Sequence, residues 1–141
     1  DCVLGDKVIM ANNASVAGHV VVGDYANFGG YSGVPQFRSI GENTHIAAMS
    51  LVTKDVPAFM TVAGNPASAV GLNLEGMRRR DFSTDALAAL KESHKIVYRS
   101  GLTKNRALSR LAELRSKYSE VEKFARSIES SESGIVRGRS H

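Results

Sequence analysis

Tryptophan is absent and the aromatic share is 6%, so a core cannot be built around large rings and has to be filled by small aliphatic side chains stacked in layers. Cys2 is the only cysteine, which excludes a disulfide within the chain. A reducing compartment is the default for such a sequence, and a cytoplasmic location is expected. No apolar run approaches the roughly 20 residues that a membrane-crossing helix needs, so stable membrane insertion is not expected. The chain opens neither on an initiator Met nor on a signal-peptide pattern. It opens with a repeat already in phase at Val3, as expected for a C-terminal piece of a longer solenoid. Its 141 residues suit one domain or two small ones, and a 43% hydrophobic content allows a core.

What is present is a period of six. Cut every six residues from Val3, the second place reads Leu4, Met10, Val16, Val22, Phe28, Val34, Ile40, Ile46 and Val52, all apolar. The third place reads Gly5, Ala11, Ala17, Gly23, Gly29, Pro35, Gly41, Ala47 and Thr53, all small or turn-forming. A helix returns an apolar residue every three or four places and a simple strand every second. A strict six fits short strands joined by turns, each strand sending one large side chain inward, stacked as a solenoid. The nine hexads make three coils if each coil has three flat faces. The repeat stops at Asp55-Val56-Pro57, where Pro57 cannot donate to a ladder.

Residues 1–57 are therefore expected to form a hexapeptide-repeat β-helix, incomplete at its N-terminus. Residues 58–80 read as an extended loop and linker, with Gly64-Asn65-Pro66 as a turn signal. From Asp81 the period becomes helical, giving a helical domain over 81–130. Ser83 is a good N-cap, with Phe82 and Leu87 at the spacing of a hydrophobic staple, and Gly101 stands where a helix would end. Thr103 and Ser119 can cap two further helices. The Ser/Gly/Arg-rich residues 131–141 read as a flexible tail.

Charge is uneven. Residues 1–72 hold three basic and five acidic side chains, a net of −2, whereas residues 73–141 hold 15 basic and nine acidic, a net of +6. An anionic partner is plausible for the second half. No recognition motif supports nucleic acid as that partner.

The stretch Asn12-Asn13-Ala14-Ser15-Val16-Ala17-Gly18-His19-Val20 resembles the signature of the acyl-carrier-protein:UDP-N-acetylglucosamine O-acyltransferases of lipid A synthesis. More specific is Gly71-Leu72-Asn73-Leu74-Glu75-Gly76-Met77-Arg78-Arg79-Arg80, followed by Phe82-Ser83. The resemblance extends to about Arg137. It implies a left-handed parallel β-helix of hexapeptide repeats followed by a small C-terminal α-helical domain, assembled as a homotrimer. Left-handed crossovers break a strong general rule, so the handedness comes from the resemblance and not from the period. The reaction implied is transfer of an (R)-3-hydroxyacyl group from acyl carrier protein to the 3-hydroxyl of UDP-N-acetylglucosamine, with no cofactor and no metal.

In that family the general base is a histidine directly before the position of Asp1, so the chain alone is expected to be inactive. Asp1 is similar to the carboxylate beside that histidine, able to orient it and stabilise its charged form. Gly18 resembles the residue whose backbone N–H serves the oxyanion, and His19 a substrate-contacting histidine. Asn73, Glu75, Arg79 and Arg80 resemble the nucleotide-binding set, since arginine forks suit a diphosphate. Asn13 and Gln36 match positions near the substrate. Ala48 falls where the family sets acyl-chain length, and its small side chain favours a longer chain. Pro35 departs from the pattern, standing where the family usually has a histidine. His45 invites a zinc reading, but His19 and His45 alone do not make a three-ligand site. Two alternatives stay open: a related hexapeptide N-acyltransferase, against which the run from Asn73 to Arg80 argues, and a non-catalytic trimeric solenoid.

Overall fold

The computed structural model describes residues 1–138. Eight two-residue strands follow one another at six-residue intervals: β1 (Val3–Leu4), β2 (Ile9–Met10), β3 (Ser15–Val16), β4 (Val21–Val22), β5 (Asn27–Phe28), β6 (Gly33–Val34), β7 (Ser39–Ile40) and β8 (His45–Ile46). Each occupies the first two places of a hexad, and β1 to β5 each pair in parallel with the strand 18 residues later, as in Val3↔Val21 and Val21↔Ser39. Three hexads therefore make one coil of a triangular prism. One face is β1-β4-β7, the second carries β2, β5 and β8, and the third is β3-β6, extended by a bridge from Gly33 to Leu51. This is the parallel solenoid of about three turns that the repeat leads one to expect.

The second place of each hexad points inward. Val22, Phe28, Val34, Ile40, Ile46 and Val52 are buried, while Leu4, at the same place in the first described coil, is 49% exposed. Each buried aliphatic contributes roughly 1.5–3 kcal/mol of transfer free energy. The third place is small because the coils touch there: a Cβ on Gly41 would collide with the backbone nitrogen of Ala58. Third-place amides also donate to the next coil, Gly23 to Ile40 and Ala17 to Val34; Pro35 has no N–H with which to join that series. The fifth place turns the corner in the left-handed region, from Lys7 (φ 55) through Asn13, His19, Tyr25, Tyr31, Phe37 and Asn43 to Met49 (φ 58). None of these is glycine, so each corner costs of order 1 kcal/mol. Corner amides offset this by donating to the previous coil, His19 to the Asp1 carbonyl at 2.9 Å and Asn43 to that of Asp24 at 2.7 Å.

Residues 59–72 differ from the expected loop. They form a hairpin, β9 (Met60–Gly64) and β10 (Ala67–Leu72), with β9 adding in parallel to β8. The second face thereby becomes a five-stranded sheet, β10-β9-β8-β5-β2. Met60 and Val62 alternate inward along β9, and the Gly64-Asn65-Pro66 punctuation marks the hairpin turn rather than a loop.

A short helix, α1 (Leu74–Arg79), follows, then α2 (Thr84–Arg99), α3 (Lys104–Lys117) and α4 (Ser119–Glu129). Ser83 and Thr103 cap α2 and α3 as their side chains predict, accepting from the N–H groups of Ala86 and Arg106. Ser119 does not cap α4; it is the first helical residue, and Tyr118 precedes it with no side-chain cap. The Arg115 guanidinium on α3 donates to both Glu122 and Glu129 on α4. These bonds hold the two carboxyls below their usual range. The stability they contribute is present above the unfolded carboxylate range and is lost as pH falls through the folded pKa values.

The end of the chain also differs from the expected flexible tail. Ile135 and Val136 are buried, and Ile135 bridges in parallel to Asp55. The Val136 N–H donates to the Asp55 carbonyl, the Ala69 N–H to the Arg137 carbonyl, and the Tyr98 hydroxyl to the Val136 carbonyl. The last coil leaves an open sheet edge that needs backbone partners, and this segment supplies them. Residues 139–141, the rest of the expected tail, lie outside the described residues.

Candidate functional site

Because strands recur every six residues and coils every 18, outward-facing residues of one face stack in columns. On the second face the first-place residues Ile9, Asn27 and His45 continue into Thr61 of β9, registered opposite His45. The adjoining corner carries Lys7, Tyr25 and Asn43. Leu72, at the end of β10, leads the chain into α1 over this floor. The result is a groove of about 530 Å³ between α1 and the second face, bordered by Lys7, Tyr25, Asn27, Asn43, His45, Asn73, Glu75, Arg79 and Arg80.

All four residues of the expected nucleotide-binding set thus border one groove, but they are held in different ways. Asn73 is committed to the fold. Its Oδ1 accepts from the Gly76 N–H at 3.2 Å, capping α1, and its Nδ2 donates to the Asn43 carbonyl at 3.0 Å. It anchors the helix to the corner and sets the groove's width. Glu75 and Arg79 pair across one helical turn at 2.6 Å, both 75% exposed, an interaction worth only a few tenths of a kcal/mol. Either side chain can swing onto a ligand at little cost. Arg80 closes α1, its backbone N–H donating to the carbonyls of Gly76 and Met77. Its guanidinium lies 3.7 Å from the Tyr25 ring centroid.

The expected chemical set lies elsewhere. Asp1, His19 and Phe37 form another corner column, 18 residues apart. The imidazole of His19 stacks on the Phe37 ring with centroids 4.9 Å apart and planes within 1°, and both residues are exposed. Gly18 and Gln36 immediately precede His19 and Phe37. A Cβ placed on Gly18 would meet nothing within 4 Å, so this backbone is open to a ligand's approach. This corner joins the third face to the first and stands opposite the second face. Asn13 lies on the remaining corner with Tyr31 and Met49, next to the exposed Ala48. The structure therefore gathers Asn73, Glu75, Arg79 and Arg80 in the groove, Asp1, Gly18, His19 and Gln36 on the opposite corner, and Asn13 and Ala48 on a third. His45 lies on the groove floor, away from His19, so the two imidazoles do not converge. Among the described residues no three His, Cys, Asp or Glu side chains cluster as a metal site would require.

The sequence alone does not single out Tyr25, Asn27 and Asn43, and it offers His45 only as a metal ligand. The signal that finds them is the 18-residue stride: counting back from Asn43 gives Tyr25 and Lys7 as the corner column, and counting back from His45 gives Asn27 and Ile9 beside it.

The family described as Udp N-acetylglucosamine O-acyltransferase, Domain 2, matches residues 55–136. Over 137 residues the chain is 47% identical to the acyl-[acyl-carrier-protein]–UDP-N-acetylglucosamine O-acyltransferase of Thiobacillus denitrificans and 50% identical to that of Stutzerimonas stutzeri. Each alignment covers 97% of this chain and 53% of the relative. Among solved structures, the UDP-N-acetylglucosamine O-acyltransferase of Moraxella catarrhalis superposes with a TM-score of 0.93 at 43% identity, over 97% of this chain and 53% of that one. The UDP-N-acetylglucosamine acyltransferase of Arabidopsis gives 0.88 at 37% identity, over 99% of this chain and 51% of that one. The chain spans about half the length of the relatives it matches. Fold, sequence and the matched segment agree: the chain belongs to the UDP-N-acetylglucosamine O-acyltransferase family.

Proposed function

We propose that the protein carrying this chain transfers an (R)-3-hydroxyacyl group from acyl carrier protein to the 3-hydroxyl of UDP-N-acetylglucosamine, the first step of lipid A synthesis. The observation that carries this reading is the groove, where Asn73, Glu75, Arg79 and Arg80 meet beside a polar sheet face. Two arginines suit a diphosphate, because a planar guanidinium gives paired, charge-assisted hydrogen bonds to its oxygens.

The chemistry asks for a second set of groups. As the sugar hydroxyl attacks the thioester carbonyl, its proton passes to a base and the carbonyl oxygen becomes an oxyanion. Collapse re-forms the carbonyl as an ester and expels the carrier's thiolate, which takes up a proton. The base is the histidine expected directly ahead of Asp1. Asp1 orients it and stabilises its charged form. The Gly18 N–H serves the oxyanion; among the described residues it donates to no backbone carbonyl, so it is free to donate to substrate. The exposed His19 imidazole contacts the substrate beside it.

One chain cannot bring both sets to one molecule, because the His19 corner stands opposite the face that bears the groove. The reading therefore includes a homotrimer in which the His19 corner of one copy faces the groove of the next, so that each site draws on two copies.

The test is an acyl-transfer assay on the protein as it exists in its source, with UDP-N-acetylglucosamine and a series of 3-hydroxyacyl carrier proteins. The expected result is an O-acylated nucleotide sugar. Longer chains should be preferred, because Ala48 is small and exposed. The absence of product from an intact trimer would favour a non-catalytic solenoid.

A further inference from the structure

Arg80 differs from Arg79 in being held before any ligand arrives. Its guanidinium lies over the Tyr25 ring, with Cζ 3.7 Å from the ring centroid, and Phe82 stands further off at 5.7 Å. Nη1 is 3.7 Å from Glu42 Oε2, close enough for attraction and too long for a hydrogen bond. The same carboxylate oxygen is 3.7 Å from Lys123 Nζ on α4, so Glu42 divides its charge between two cations. Nη1 is buried and has no hydrogen-bond acceptor among the described residues, and the same holds for Nδ2 of Asn43, which also borders the groove.

Resting on the nucleotide reading of this groove, we propose that Tyr25 and Glu42 are positioning residues that fix Arg80 as a preset anion-binding arm, its edge donors kept for a phosphate oxygen of the ligand. A guanidinium stacks through its face and donates through its edge. Tyr25 therefore restrains Arg80 without consuming a single N–H. Glu42 draws the group to one side without occupying a donor, and Lys123 lowers its competition with an incoming anion. A free arginine loses rotamer freedom when it is ordered; here that loss is taken in folding, and binding is correspondingly tighter.

The test is titration of UDP-N-acetylglucosamine into the intact protein, with steady-state kinetics alongside. Tyr25→Leu should weaken binding about tenfold, as loss of a partly desolvated cation–π contact implies. The same factor should appear in KM, while kcat at saturation stays within about twofold, because uniform binding alone is lost. Tyr25→Phe, which keeps the ring face, should retain most of the affinity. Glu42→Gln should weaken binding by a smaller factor that shrinks with added salt. In an Arg80→Ala background, Tyr25→Leu should cost nothing further, since it acts only through the arginine. An equal cost in both backgrounds, or wild-type binding by Tyr25→Leu when Arg80→Ala binds weakly, would overturn the positioning role. Unchanged binding by Arg80→Ala itself would overturn the nucleotide reading of the groove as well.

Discussion

His19→Ala is expected to lower kcat for acyl transfer by about 10²–10³-fold, the range seen when a group acting on the reacting atoms is removed. The proposed trimer should persist. His19 is exposed at a corner with φ 60, and the bond that holds this corner runs from its own backbone N–H to the Asp1 carbonyl at 2.9 Å. Alanine keeps that bond. What is lost is the imidazole and its stack on Phe37. Left-handed backbone disfavours alanine slightly, so His19→Asn, a residue type enriched in that region, is the fitting control. It should match wild type in thermal stability and remain as poor a catalyst as His19→Ala. Wild-type kcat in either variant would remove His19 from the chemistry and leave it a corner residue.

Asp55→Ala is expected to destabilise the fold by about 3 kcal/mol, because a buried hydroxyl and a part-buried backbone amide are left without an acceptor. The Asp55 carboxylate is buried. Its Oδ1 accepts from the Ser39 N–H at 2.8 Å and its Oδ2 from the Ser131 hydroxyl at 2.7 Å. The backbone of Asp55 meanwhile donates to the Gly134 carbonyl and accepts from the Val136 N–H. One residue thus ties the last solenoid coil to the segment after α4. For a chain of this size the loss corresponds to a Tm lower by roughly 6–12 °C. Cleavage by protease at Glu132–Ser133 should rise in parallel, because this segment is released before the bundle unfolds. Asp55→Asn, which keeps one acceptor, should fall between the two. An unchanged Tm with an unchanged cleavage rate would show that Ile135 and Val136 hold the segment without the carboxylate.

The solenoid was legible because its inward residues recur at a fixed interval. Leu4 through Val52 announce six, and three faces per coil then give the stride of 18 seen in Val3↔Val21↔Ser39. The helix starts at Ser83 and Thr103 were legible because a cap is a local device, made within three residues. The hairpin was not, because the Gly64-Asn65-Pro66 turn outweighed a short alternation in Met60 to Ala63. The final segment was misread because Ser, Gly and Arg around Ile135 and Val136 hide two core residues whose partners, Asp55 and Tyr98, lie far away in sequence. Within the groove, Asn73 reads as a ligand-binding amide and turns out to spend its side chain on Gly76 and Asn43. Tyr25 and Glu42 read as ordinary repeat residues. Only the fold-back of α1 over the second face brings them to Arg80, and no local pattern encodes that.

The His19 corner of one copy and the Arg80 groove of another are proposed to act on one substrate. The direct measurement is subunit complementation: His19→Ala and Arg80→Ala chains are co-expressed in equal amounts, mixed trimers are purified, and acyl transfer is compared with that of each parent. Sites shared between copies should regain about a quarter of wild-type activity, because with random assembly a quarter of the junctions pair an intact corner with an intact groove. Activity no higher than the average of the two parents would contradict the shared site and confine the chemistry to a single chain.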